Sequence, residues 1–127
     1  MQDRCTFEYA IIRMVPKVER EEFFNVGVIL FSKQKKFLKV KYKVNENLLE
    51  AFTDEIEVEN LLEYLKAWEL ICVGAPLGGA IGKLELSDRF RWLTATRSTI
   101  IQSSKTHPGL CEDPEKELQD IFMKIVL

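Results

Sequence analysis

Phe24-Asn25-Val26-Gly27-Val28-Ile29-Leu30-Phe31 is apolar at both odd and even positions. A strand with one wet face alternates, so apolar residues at both parities predict an interior strand rather than an edge. Gly27 stands in its middle, where glycine weakens a strand unless a bulge or a close backbone approach requires it. Upstream, Phe7 to Val15 is rich in aromatic and β-branched residues and ends at Pro16, which predicts a preceding strand. Downstream, Phe37 to Val44 alternates: Leu38, Val40, Tyr42 and Val44 share one side, and Lys39, Lys41 and Lys43 share the other. That pattern predicts one core face and one wet face.

Helical spacing takes over after Asn45. A short helix is expected around 46–52, and Asp54 with Glu57 three residues on forms a candidate capping box for a helix near 55–73. Val58, Leu61, Leu62, Leu65, Trp68 and Cys72 make its buried stripe. Residues 74–82 hold four of the six glycines, a loop or hinge. A further short helix after Ser87 should bury Phe90 and Leu93, followed by a strand-like stretch near 99–104. Asp113 and Pro114 open a last helix, 114–126, with Leu118, Ile121, Phe122 and Ile125 as its stripe. The expected architecture is one α+β domain over residues 1–127: a small, mostly antiparallel sheet of about three to five strands, covered on one face by helices near 55–73 and 114–126.

The formal net charge of −2 conceals segregation. Residues 1–45 are net +5, residues 46–88 net −8 and residues 89–127 net +1. A wholly basic nucleic-acid coat is excluded; a local basic surface is not. The three cysteines, Cys5, Cys72 and Cys111, are odd in number and far apart, as in a reduced cytoplasmic protein without a disulfide framework. The longest apolar run, Val26 to Phe31, is far short of a membrane span, and the amino terminus lacks a signal-like apolar stretch, so no membrane association is expected.

Few residues invite chemistry. Lys39, Lys41 and Lys43, with Lys33, Lys35 and Lys36, would suit phosphate neutralisation in a nucleic acid; equally, they suit a solvated strand face that blocks aggregation. His107 and Cys111 are four apart, but Pro108 and Gly109 between them forbid an ordinary helix, and no Cys-x-x-Cys accompanies them, so no metal or cofactor is expected. The segment from Arg89 to Leu110 is denser: Arg97, Ser98, Gln102, Ser103, Ser104, Lys105 and His107 lie among apolar anchors. Hydroxyls, an amide and cations together suit an anion or a peptide backbone, or else cap carbonyls within the fold.

Glu19 to Leu30, Leu86 to Leu93, Arg97 to Gln102 and His107 to Leu110, in that order, resemble the bacterial domain-of-unknown-function family 3037 over nearly the whole chain. The resemblance implies no catalytic role. It implies a companion of HipA-like kinases, and by motif match it singles out Arg13, Asn25, Gly27, Arg97, Ser98, Gln102 and His107, while the lysine row lies outside the motifs. The expected function is a non-enzymatic binding or regulatory module docking a partner protein through the Asn25/Gly27 strand and the Arg97–His107 segment. The alternative is an enzyme or binder acting on a phosphate-bearing small molecule or nucleic acid, with Arg97 and Lys105 holding phosphate and His107 as acid/base.

Overall fold

A computed structural model of the chain describes residues 4–16, 22–53, 55–95 and 99–127. Its elements run β1 (Cys5–Met14), β2 (Phe24–Ser32), β3 (Phe37–Tyr42), α1 (Glu46–Phe52), α2 (Val58–Val73), α3 (Leu86–Thr94), β4 (Ile101–Ser103), β5 (His107–Cys111) and α4 (Pro114–Ile125). Every strand pairing is antiparallel, in the order β3-β2-β1, with β4 and β5 sharing the free side of β1. The protein is thus α+β, as its sequence pattern predicts.

The strand signals do not announce β5. Pro108 and Gly109 forbid an ordinary helix and are poor strand formers, yet Glu8 pairs with Pro108 and Phe7 with Gly109. An edge strand tolerates proline because an outward N–H has no ladder bond to lose. Glycine is needed opposite Phe7, since a Cβ at Gly109 would lie 2.5 Å from the Phe7 ring. Between β4 and β5 the ladder is carried by Ser104, whose N–H donates to the Ile11 carbonyl and whose Oγ accepts from the Ile11 N–H, both at 2.8 Å.

The sheet is covered on both faces, not one. Ala10, Ile12 and Met14 of β1 join Leu61, Leu65, Trp68, Phe90 and Leu93 in one buried cluster beneath α2 and α3. Cys5 and Phe7, of the opposite parity, join Val28, Leu30, Leu118, Ile121 and Phe122 beneath α4. Apolar residues at both parities of β2 require two covering layers. The same correction applies to β3, whose lysine face is not simply wet. Lys39 Nζ lies 2.7 Å from Glu115 Oε1, and Lys41 donates to Gln119 and stands 5.1 Å from the Phe122 ring centroid.

Gly27 resolves the parity of β2. Phe24 and Val26 belong to the α2 side, and so do Ile29 and Phe31, two even and two odd positions. The switch falls where Ile12 pairs with Gly27 and the next residue, Arg13, pairs with Asn25, a bulge of one residue. A Cβ on Gly27 would stand 2.7 Å from the Lys41 carbonyl oxygen and 3.0 Å from Tyr42 Cβ, so both the bulge and the close approach that its position suggests are present.

α2 buries Leu61, Leu65, Trp68 and Cys72 as its spacing predicts, but Leu62 is 40% exposed and is not part of the stripe. Its N-cap is Glu57, which makes no side-chain cap bond; the proposed partner Asp54 lies outside the described residues. Gly74, at φ +104°, ends the helix, and Arg89 of α3 ties that end down, donating from Nη1 to the Ile71 and Cys72 carbonyls at 2.9 Å each. The glycine-rich loop closes on itself through Ala75 N–H to Gly82 O at 2.9 Å and Gly78 N–H to Gly74 O at 2.8 Å. α3 begins at Leu86, ahead of Ser87, and buries Phe90 and Leu93. α4 is capped by Asp113, whose Oδ1 accepts from Glu115 N–H at 3.0 Å.

Candidate docking site on the sheet

Three of the singled-out residues come from three strands and meet in one row. Arg13 of β1 is paired with Asn25 of β2 on one side and with Gln102 of β4 on the other. Directly opposite residues in antiparallel strands project to the same face with their Cβ atoms about 5 Å apart. The face is that of α4, because Asn25 Nδ2 reaches the Ile125 carbonyl at the end of that helix, at 3.4 Å. The bulge at Gly27 makes this possible. With unbroken alternation, Asn25 would share a face with Ile29 and Phe31 beneath α2. Gly27 itself pairs with Ile12 and offers no side chain, so its part in the row is to set the register.

The row is polar, and its hydrogen bonding is incomplete. The Arg13 guanidinium lies 4.3 Å above the ring of Phe23, a residue 46% exposed. Gln102 Nε2 donates to the Thr99 carbonyl at 2.8 Å, so the carbonyl-capping role foreseen for it is real. Arg13 Nε and Asn25 Oδ1, by contrast, are buried and without a hydrogen-bond partner among the described residues. One is a donor and the other an acceptor. Leaving such a group buried and unpaired costs about 1–3 kcal/mol. Phe23 is not among the residues that the sequence singles out; the signal for it is an apolar side chain next to Phe24 and out of phase with the core.

On the α3 side of the sheet, sharing only Arg13 with the row, opens a polar depression of about 660 Å³, lined by Arg13, Arg91, Ser103, Ser104, Lys105 and Thr106 among others. Its cations are not all free for an anion. Arg91 holds Glu8 through two guanidinium–carboxylate contacts, 2.5 and 2.7 Å, which keep the Glu8 carboxyl below the usual range. The hydroxyls are likewise engaged: Ser103 Oγ donates to the Ser104 carbonyl at 2.8 Å and Ser104 Oγ to the Lys105 carbonyl at 2.9 Å.

His107 stands apart. It pairs with Tyr9, its ring centroid 5.1 Å from the Tyr9 ring, four positions along β1 from Arg13. At about 3.3 Å per residue that separation is about 13 Å. His107 and Cys111 sit at opposite ends of β5, too far apart to act on one atom, and Cys111 instead faces Cys5 with 3.7 Å between sulfurs. Burial and the Cys5 contact push the Cys111 thiol up to about 12, away from thiolate chemistry. Arg97 and Ser98 lie outside the described residues. Among the described residues, no three His, Cys, Asp or Glu side chains gather as a metal set, and no helix is long and apolar enough to cross a membrane.

A family model described as a protein of unknown function, DUF3037, matches residues 9–126, from Tyr9 in β1 to the residue after α4. No curated protein matches the chain, and no solved structure does.

Proposed function

We propose that this chain, which belongs to the DUF3037 family, is a non-enzymatic binding or regulatory module of the bacterial cytoplasm that docks a partner protein on its sheet. The single observation that carries this reading is the Asn25–Arg13–Gln102 row with its unpaired donor and acceptor, Arg13 Nε and Asn25 Oδ1. Both atoms lie beneath the surface, so docking must turn the Arg13 and Asn25 side chains outward, where a protein surface offers a carbonyl for the arginine and an N–H for the asparagine. The exposed Phe23 ring beneath the guanidinium supplies apolar area at the same place, and aromatic and arginine side chains are the residues that dominate binding energies at interfaces. The partner proposed is the HipA-like kinase that the family resemblance implies.

The phosphate-directed alternative draws less support. Arg91 is already neutralised by Glu8, and His107 is about 13 Å from the row, beyond the reach of a proton transfer to a ligand held there. Nucleic-acid binding by Lys39 and Lys41 would compete with Glu115 and Gln119.

The test is co-purification of the tagged chain with the purified HipA-like kinase. Arg13→Ala should reduce capture about tenfold or more, as loss of a central interface arginine does. Gln102→Ala should lower it less, and His107→Ala should leave it unchanged. Full capture by both Arg13→Ala and Gln102→Ala, with folding verified by circular dichroism, would overturn the proposed surface.

A further inference from the structure

α2 carries a second stripe beside its core stripe. Asn60, Tyr64, Ala67 and Ile71 recur at spacings of four, three and four residues, one helical position out of phase with Leu61, Leu65, Trp68 and Cys72. This stripe borders a trough made of two adjoining depressions that share Tyr64, Ala67 and Ile100. One, about 380 Å³, is apolar, floored by Trp68 and Ile71 and walled by Trp92. The other, about 550 Å³, adds Glu55, Asn60 and Glu63. The apolar wall is open to water: Tyr64 is 56% exposed and Trp92 40%. Large aromatics held at such exposure around a concavity of ligand size are the pattern of an interaction surface.

Charge decides the occupant. The α2 wall of the trough, with Glu55 and Glu63, lies in the acidic part of the chain, residues 46–88, where ten Asp/Glu face two Lys/Arg; the opposite wall, Trp92 and residues 99–101, adds no charged side chain. Of those two cations, Lys66 is tied to Glu69 at 2.6 Å. We infer that the trough between α2 and the 99–101 segment takes a basic peptide segment that seats one large apolar side chain among Tyr64, Trp68 and Trp92, with its lysines or arginines over Glu55 and Glu63. The site is on the α2 side of the sheet, opposite the Arg13 row, and does not depend on the docking proposed there.

The experiment is calorimetric titration of the full chain with a synthetic lysine-rich amphipathic peptide carrying one tryptophan, and with its glutamate-rich counterpart. The basic peptide should bind and the acidic one should not. Tyr64→Ala should weaken binding about tenfold. Glu55→Lys with Glu63→Lys should do the same, whereas Glu46→Lys with Glu50→Lys, an equal change of net charge on α1, should alter affinity less than about twofold. All of these positions except the half-exposed Tyr64 are surface carboxylates, so folding is preserved and is checked by melting temperature. Equal weakening by both charge reversals, binding of the acidic peptide, absence of binding, or self-association of the chain that buries Tyr64 would each overturn the inference.

Discussion

Replacing Gly27 by alanine probes the feature on which the sheet face turns. The added Cβ would stand 2.7 Å from the Lys41 carbonyl oxygen, 3.0 Å from Tyr42 Cβ and 3.2 Å from Ile12 Cδ1. The first neighbour is backbone of an adjacent strand and cannot rotate away, so β2 and β3 must separate by several tenths of an ångström. Overpacking of this kind costs about 1–3 kcal/mol. Against it stands a gain of about 0.4–1 kcal/mol, because alanine restricts the unfolded chain more than glycine does. At the middle of both ranges the net loss is about 1.3 kcal/mol. An unfolding entropy of about 2.1 cal/mol/K per residue gives about 0.27 kcal/mol/K for a chain of this length, so the melting temperature should fall by about 5 °C. The assay is thermal unfolding by far-ultraviolet circular dichroism, with hydrogen exchange read at β3, whose pairing with β2 bears the strain. A melting temperature within about 1 °C of the parent, with β3 protection unchanged, would refute the bulge and close approach placed at Gly27.

Other consequences are equally accessible. Leu118→Ala should cost about 2–5 kcal/mol in chemical denaturation, as should Leu65→Ala on the opposite face, since both are fully buried; a near-neutral Leu118→Ala would contradict the second covering layer. The Glu8 carboxyl is held below its usual value of 4.5 by its hydrogen bond to Arg91, so the pair stabilises the fold above about pH 4.5 and loses that contribution as pH falls through the lowered folded-state value. Both groups are partly solvated, so the contribution is no more than about 1 kcal/mol. Arg91→Ala should therefore lower the melting temperature slightly at neutral pH, with a gap that closes in acid; a gap widening in acid would be the wrong sign. Burial pushes the Cys72 thiol up to about 12 and, with the Cys5 contact, Cys111 likewise, so alkylation at pH 8 should label both far more slowly in the folded chain than in the unfolded one.

The sequence carried the local signals well and the register poorly. Asp113 and Pro114 announce α4, and the spacing of Leu61, Leu65, Trp68 and Cys72 announces α2. β2, apolar at both parities, already required two covering layers, yet nothing in α4 itself says that it crosses to the other face. β5 was hidden because Pro108 and Gly109 usually punctuate a chain, and only the Phe7 ring opposite Gly109 explains the glycine. The row Asn25–Arg13–Gln102 was legible as separate residues but not as a row. Its members are distant in sequence, and a one-residue bulge decides which face Asn25 takes. Lys39 and Lys41 alternate as a solvent face would, and their engagement by Glu115 and Gln119 is a tertiary fact. His107, grouped by sequence proximity with Gln102, is separated from it because the chain between β4 and β5 continues along β1 rather than folding back.

The most direct measurement is photocrosslinking from position 102 to the purified HipA-like kinase. A photoreactive residue replacing Gln102, beside Arg13 in the row, should crosslink to the kinase, and Arg13→Ala in the same chain should abolish the product. The same group replacing Leu110, exposed at the far end of β5, should give none. Crosslinking from Leu110 and not from Gln102, or crosslinking from Gln102 that survives Arg13→Ala undiminished, would contradict the claim that the row is where the partner docks.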